Sequence, residues 1–309
     1  MEFGVHLPQI GWEPDTISLE RIVAVAAAAE RLGFGTLSAN DHLVYSQPWL
    51  DGPIGLAAVL TTAPRMRLMT SVNLPVVRGP VAVAKTLGMI DLLSGGRLEA
   101  GLGPGSSEAD YRLVSIPFEE RWPRFDEAVA VVRALWSRDG EPFVGRYYDT
   151  TGVTLAPRPA QQDGPPIWIG SWGSHAGLRR IARLADGWLA SGYNTTPESF
   201  RGSWATLAEM LTAAGRDAST FPCTLATTWM YLADDDAEAD AVRERVSRMT
   251  RRSIDEVTER LPIGTPARCV DLFGRYRDAG MPRILVWPLG DEVAQLERFA
   301  KDVAPHLIG

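Results

Sequence analysis

Lysine is almost missing from this sequence: Lys85 and Lys301 are the two present, and both fall in helical stretches rather than at a strand end. That removes Schiff-base chemistry, which needs a lysine amine at the reacting centre. Cysteine is as scarce. Cys223 and Cys269 are too few for a disulfide framework or a thiolate cluster, and they read as buried thiols of a cytoplasmic protein. The four histidines, His6, His42, His175 and His306, are scattered without zinc spacing, so no metal centre is expected. No G-x-S-x-G elbow is present, which removes the usual serine hydrolase. Positive charge is in deficit, with 31 basic against 38 acidic residues and a net charge of −7, so no surface for nucleic acid is expected. No apolar run approaches the ~20 residues that cross a bilayer, and Met1–Pro8 reads as a strand rather than a basic leader. What remains is reactivity supplied by a cofactor.

Apolar, β-branched runs alternate with helical patterns along the chain. Strands are expected near Phe3–Leu7, Thr36–Ala39, Arg67–Val72, Arg97–Leu102, Ile167–Gly170, Trp188–Ser191, Thr224–Leu232 and Ile284–Trp287. Helices are expected near Ser18–Leu32, Ile54–Thr62, Pro80–Leu93, Pro123–Ser137, Ala176–Leu184, Pro197–Ala214, Asp235–Arg251 and Pro266–Ala279. Thr196-Pro197, Thr265-Pro266 and Gly79-Pro80 each read as an N-cap followed by proline at the first helical position. Eight β-then-α units fit a closed (β/α)8 TIM barrel better than the competing doubly wound open sheet. Residues 1–309 then form a single domain. The stretch 138–166 is long for a connection, and reads either as a ligand-facing lid or as a flap along the barrel's side.

Ligands of such barrels gather at the C-terminal ends of the strands. The fourth strand runs into GLGPGSS, where Gly103, Pro104, Gly105 and Ser106 would let backbone approach a bulky ligand. The third ends in Ser71, Val72 and Asn73, small and polar residues suited to a flat ring. The fifth ends in Gly170, Ser171, Trp172, Gly173 and Ser174, ahead of a helix bearing Arg179 and Arg180. Free amides at such a helix start suit a phosphate. The second ends in Asp41 and His42. A carboxylate beside an imidazole there suits proton transfer; the alternative is that Asp41 caps a turn and His42 is merely exposed. His6 reads first as a hydrogen-bonded core histidine.

On these residues the chain resembles the bacterial luciferase-like flavin and deazaflavin oxidoreductases over nearly its whole length. The resemblance is carried by Asn40–His42, Thr70–Val72, Ser94–Gly105, Arg124–Trp136, Pro165–Ser174 and Ala185–Ser191. The runs GLGPGSSEADY and IGSWGS, with DGWLASGYNTTPE, are most similar to the mycobacterial-type branch that uses coenzyme F420. The resemblance implies a barrel with an insertion after the fourth strand, a homodimer, and a ring held at the barrel mouth. It also implies a cis peptide between Ser71 and Val72 behind that ring, Asp41 orienting the ring or its histidine neighbour, and His42 near the hydride-accepting face. Sugar-phosphate dehydrogenases of the group carry a glutamate after the Gly-x-Gly corner and a tryptophan near the Asp-His pair. Here Ser106 stands at the first place, with Glu108 two residues on, and Tyr45 and Trp49 are the nearest aromatics. That argues against sugar phosphates. The expected function is hydride transfer between F420 and a small organic substrate. The alternatives are an FMN-dependent monooxygenase and a non-catalytic flavin-binding barrel.

Overall fold

The computed structural model describes residues 1–10, 17–138 and 141–307. Its strands are β1 (Glu2–His6), β2 (Thr36–Ala39), β3 (Arg67–Thr70), β4 (Leu98–Leu102), β5 (Ile167–Ser171), β6 (Gly187–Ser191), β7 (Cys223–Leu232), β8 (Ile263–Gly264) and β9 (Arg283–Pro288). The helices are α1 (Leu19–Leu32), α2 (Gly52–Ala58), α3 (Pro75–Arg78), α4 (Pro80–Ser94), α5 (Glu108–Leu113) and α6 (Arg121–Trp136), then α7 (His175–Leu184), α8 (Pro197–Ala213), α9 (Asp236–Thr250), α10 (Ile254–Arg260), α11 (Pro266–Asp278) and α12 (Glu292–Asp302). Strand order β6-β5-β4-β3-β2-β1-β9-β7 closes through a β6–β7 pairing, and every pair is parallel. Eight strands therefore form the barrel, with β9 as the eighth. The two-residue β8 pairs only with the far end of β7 and stands outside it.

Strands covered by helices outside and side chains inside are buried on both faces, and so read as unbroken apolar runs. All four residues of β2 and all six of β9 are buried. Inside the barrel, Met69, Trp168, Leu189, Ala226 and Leu285 from five strands pack together. Beneath them Arg283 closes the floor. It donates to Thr224 Oγ1 at 2.7 Å, pairs with Glu99 at 2.7 Å and lies 4.8 Å from the Trp168 ring centre. A buried cation persists only with such partners. With the floor filled, a ligand has the opposite, C-terminal mouth.

Local signals explain most helix ends. Ser18 caps α1, and Gly33 ends it in the left-handed region at φ 81°. Thr196 and Ser199 form a reciprocal capping box ahead of α8, whereas Thr265 makes no side-chain cap bond and Gly79 offers none. Helix α2 begins at Gly52 rather than Ile54, because Asp51 caps it and Pro53 fits its first turn. Helices α3, α5 and α10 and strand β8 are too short to show a period, and the sequence reading missed them; α12, its stripe diluted by charged residues, was missed as well. Strand β3 stops at Thr70, two residues before the expected end, where the Ser71–Val72 peptide is cis.

Residues 141–166 of the long connection pack against α4, α6 and the start of β4. Gln161 bonds both Asp91 of α4 and the Leu98 carbonyl at the start of β4, and Arg158 donates to the Ser137 carbonyl. The Glu127 carboxylate on α6 accepts from the Arg146 and Tyr147 amides at 2.9 and 2.8 Å. Of the two readings of 138–166, the side flap describes these contacts of residues 141–166; 139 and 140 lie outside the described residues.

Candidate active site

Because all barrel strands run the same way, their C-terminal ends share one rim. The residues picked from the sequence meet there. The Asn73 amide donates to the Gly101 carbonyl at 2.8 Å, and the Gly103 amide donates to the Asn73 carbonyl at 3.0 Å. These bonds zip the end of β3 to the end of β4 and hold the cis Ser71–Val72 peptide beside the glycine corner.

The glycines work differently from the sequence expectation. A Cβ on Gly101 would fall 1.8 Å from the Thr70 carbonyl oxygen, so that position is filled by protein. Cβ atoms on Gly103 and Gly170 would fall 2.7 and 2.9 Å from the Val72 methyls. Both glycines thus make room for Val72 rather than for a ligand. Gly105 sits at φ 81°, a backbone that side chains disfavour, with Leu74 Cδ2 at 3.2 Å from a built Cβ. The result is an apolar platform, half-buried Val72 seated on two glycines. On either side of Val72 in the chain, the buried Ser71 Oγ and Asn73 Oδ1 have no hydrogen-bond partner among the described residues. Buried polar atoms are normally paired. An apolar face with unsatisfied polar edges suits a flat heteroaromatic ring.

On the fifth strand end, Ser174 caps α7 by accepting from the Gly177 amide at 3.2 Å, and the Gly173 amide donates to Ser171 Oγ at 3.3 Å. Trp172 stands 64% exposed beside them. Of the two basic residues on α7, Arg180 is committed elsewhere: it pairs with Asp126 and covers the Trp122 ring. Arg179 is exposed and reaches back to His175, the first residue of the helix, at 3.4 Å. The backbone amides and serines, with Arg179 near them, are what this end offers an anion. Pro104 is buried and accepts from the Tyr111 hydroxyl; Ser106 is exposed.

Asp41 and His42 part company. Asp41 is buried, and Arg78 grips it twice at 2.6 Å while Asn73 Nδ2 donates at 2.8 Å and the Leu74 amide at 3.4 Å. Burial pushes its carboxyl up, against the pull of Arg78. Burial works against the guanidinium too, but Asp41 and Asp51 outweigh it and raise Arg78 above its ordinary value. Arg78 thus ties Asp41, at the start of the loop between β2 and α2, to Asp51 at its end. Gln9 repeats the clasp: its side-chain amide donates to the Asn40 and Leu50 carbonyls at 2.9 and 2.7 Å. Between these fixed ends stand His42, Tyr45 and Trp49.

His42 finds its carboxylate 68 residues away. Its Nδ1 lies 3.1 Å from Asp110 Oδ2 on α5. Burial alone would raise the Asp110 carboxyl, but His42 and the Val44 and Leu43 amides outweigh it and lower it. Sequence adjacency pointed to Asp41; the fold supplies Asp110 instead. No local pattern foretells that contact, although Ser107 capping α5 does mark the helix that carries it. The His42 ring lies 4.9 Å from Tyr45 and 4.8 Å from Trp49, and Trp49 lies 5.9 Å from Trp287. An aromatic wall thus runs from β2 to β9.

His6 stacks on Trp287 at 3.6 Å and is wholly buried. Its Nδ1 donates to the Leu7 carbonyl at 2.8 Å, which leaves Nε2 an acceptor without a partner among the described residues. Burial drives its pKa down to about 3, so the folded protein keeps it neutral. The unfolded chain takes up that proton below pH ~6.5, which makes stability fall as pH falls. Between pH 6.5 and 5 the loss from this group is expected to be about 2 kcal/mol. Urea unfolding at the two pH values should show it, and His6→Gln should flatten the slope by that amount.

The family model described as luciferase-like monooxygenase matches residues 1–283. The F420-dependent hydroxymycolic acid dehydrogenase of Mycobacterium tuberculosis is 28% identical, over 93% of this chain and 84% of that relative. The F420-dependent glucose-6-phosphate dehydrogenase of Intrasporangium calvum is 27% identical, over 97% of this chain and 99% of that one. Among solved structures, monooxygenase RslO1 from Streptomyces bottropensis superposes with a TM-score of 0.87 at 25% identity, covering 99% of each chain. An F420-dependent secondary alcohol dehydrogenase bound to an F420-acetone adduct shares the fold, with a TM-score of 0.85 at 17% identity over 100% of this chain and 99% of that one. With the barrel closed and a family model matching most of its length, this chain belongs to the luciferase-like monooxygenase family.

Proposed function

We propose that the protein is an F420-dependent oxidoreductase that transfers a hydride between the deazaflavin and a small organic substrate. One observation carries this reading. A single rim holds both an apolar platform edged with unsatisfied polar atoms and a partly exposed imidazole braced by a buried carboxylate. The near-full-length likeness to two enzymes named as F420-dependent supports the choice of cofactor. When bound, the deazaflavin supplies the carbon that gives or takes the hydride. Val72 would back its ring, and Ser71 and Asn73 would bond its polar edge. The Gly105 and Ser106 amides, with those around Ser174 at the start of α7, would hold its phosphate. His42 Nε2 would take the proton from a substrate hydroxyl, or return it to a carbonyl oxygen. Asp41 acts at one remove, by fixing through Arg78 the loop that presents His42. Ser106, where the sugar-phosphate enzymes carry a glutamate, points to a different substrate. The same reading takes residues 1–309 as one cytoplasmic barrel domain, with 138–166 inserted, working as a homodimer.

The second reading, an FMN-dependent monooxygenase, is favoured by the likeness to RslO1. Fluorescence titration of the purified protein separates the two. F420 is expected to bind at least about tenfold more tightly than FMN, a difference of roughly 1.4 kcal/mol. Tighter binding of FMN by that factor would promote the monooxygenase.

A further inference from the structure

We infer that Asp110 is a positioning residue that fixes which nitrogen of His42 carries the proton; its use in turnover rests on the reading of His42 as the proton-transfer group. Asp110 Oδ2 lies 3.1 Å from His42 Nδ1. An ionised carboxylate only accepts, so Nδ1 must carry the hydrogen, and in the neutral ring Nε2 is left with its lone pair. The carboxylate cannot turn away freely. Its other oxygen accepts from the Leu43 and Val44 amides at 3.2 and 3.0 Å, the two residues that follow the histidine.

The pair is closed at one end and open at the other: the Asp110 side chain is 1% exposed and that of His42 is 19% exposed. Helix α5, which carries Asp110, is itself held to the glycine corner. Ser107 caps it, and the Tyr111 hydroxyl donates to the Pro104 carbonyl. The segment that leaves the corner beside the platform therefore sets the orientation of the imidazole beyond the end of β2, on the far side of β3. A one-ångström shift of α5 would reach both.

A bracing role alone, tying the 43–44 backbone, is the competing account, and two variants separate them. In Asp110→Asn the side-chain oxygen can still accept both amides, but the group facing Nδ1 becomes a donor. The ring must then accept at Nδ1 and carry its proton on Nε2. In Asp110→Ala both functions are lost. Nitrogen-resolved NMR of the cofactor-free protein, labelled with ¹⁵N-histidine and held at alkaline pH where imidazoles are neutral, reads the tautomer directly. His42→Ala identifies the signals. The wild type is expected to show the Nδ1–H form, Asp110→Asn the Nε2–H form with an unchanged melting temperature, and Asp110→Ala a mixture. A wild-type tautomer in a folded Asp110→Asn protein would overturn the inference and leave only the brace. Because no cofactor or substrate enters the measurement, its outcome is independent of whether the protein transfers a hydride.

Discussion

Replacing His42 by alanine is expected to cut turnover about 10²–10⁴-fold, the usual contribution of a positioned proton-transfer group. F420 affinity should stay within about tenfold, because the platform and the amides at the β4 and β5 ends, not the imidazole, carry most of the proposed binding. The split between rate and affinity is the informative part. His42 packs on Tyr45 and Trp49 and bonds Asp110, so its loss also leaves a buried carboxylate with one partner fewer. A structural failure would lower affinity, stability and rate together. A screen of secondary alcohols with oxidised F420, and of ketones with the reduced form, supplies the substrate. Steady-state kinetics of His42→Ala then read the effect, and wild-type turnover in that variant would return His42 to a merely exposed turn residue.

Arg78→Met is expected to cost about 3–5 kcal/mol of folding stability, the penalty for stripping a buried ion of its partner. Asp41, buried and bonded twice by Arg78, would keep only Asn73 and the Leu74 amide. The loop that presents His42 would also lose one of its two clasps, because Arg78 reaches Asp51 as well. Urea unfolding measures the loss. The double variant Asp41→Asn with Arg78→Met should recover a sizeable part of it, since the stranded charge is then gone. If the double variant were as unstable as the sum of the two single ones, the ion pair would not be what holds this loop.

The barrel was legible in the sequence because short β-rich runs alternate with helical patterns eight times; Ile284–Trp287 is wholly apolar, and Thr36–Ala39, half of it hydroxyl-bearing, matches residue for residue. The rim was legible as well, since small residues cluster where strands end. What sequence order concealed was partnership. Asp41 and His42 are adjacent, yet one faces Arg78 and the other Asp110, because both lie in the loop beyond β2, where the chain turns and the two side chains meet different elements. Gly103 and Gly170 looked like space left for a ligand, but the space is taken by Val72. A glycine in sequence says only that something comes close, not whether it is ligand or protein. The aromatic wall joins Trp49 to Trp287, far apart in the sequence, and has no local signature.

The central claim is that this barrel transfers a hydride with a deazaflavin rather than activating oxygen. Reduced FMN reacts readily with oxygen, while reduced F420 does not. Oxygen uptake should therefore be followed with each reduced cofactor while a carbonyl substrate found in the screen is turned over. The account predicts that reduced F420 is oxidised in step with substrate reduction, at the same rate with and without air, and with no oxygen consumed. Substrate-dependent oxygen uptake with reduced FMN, and no oxidation of reduced F420, would contradict it.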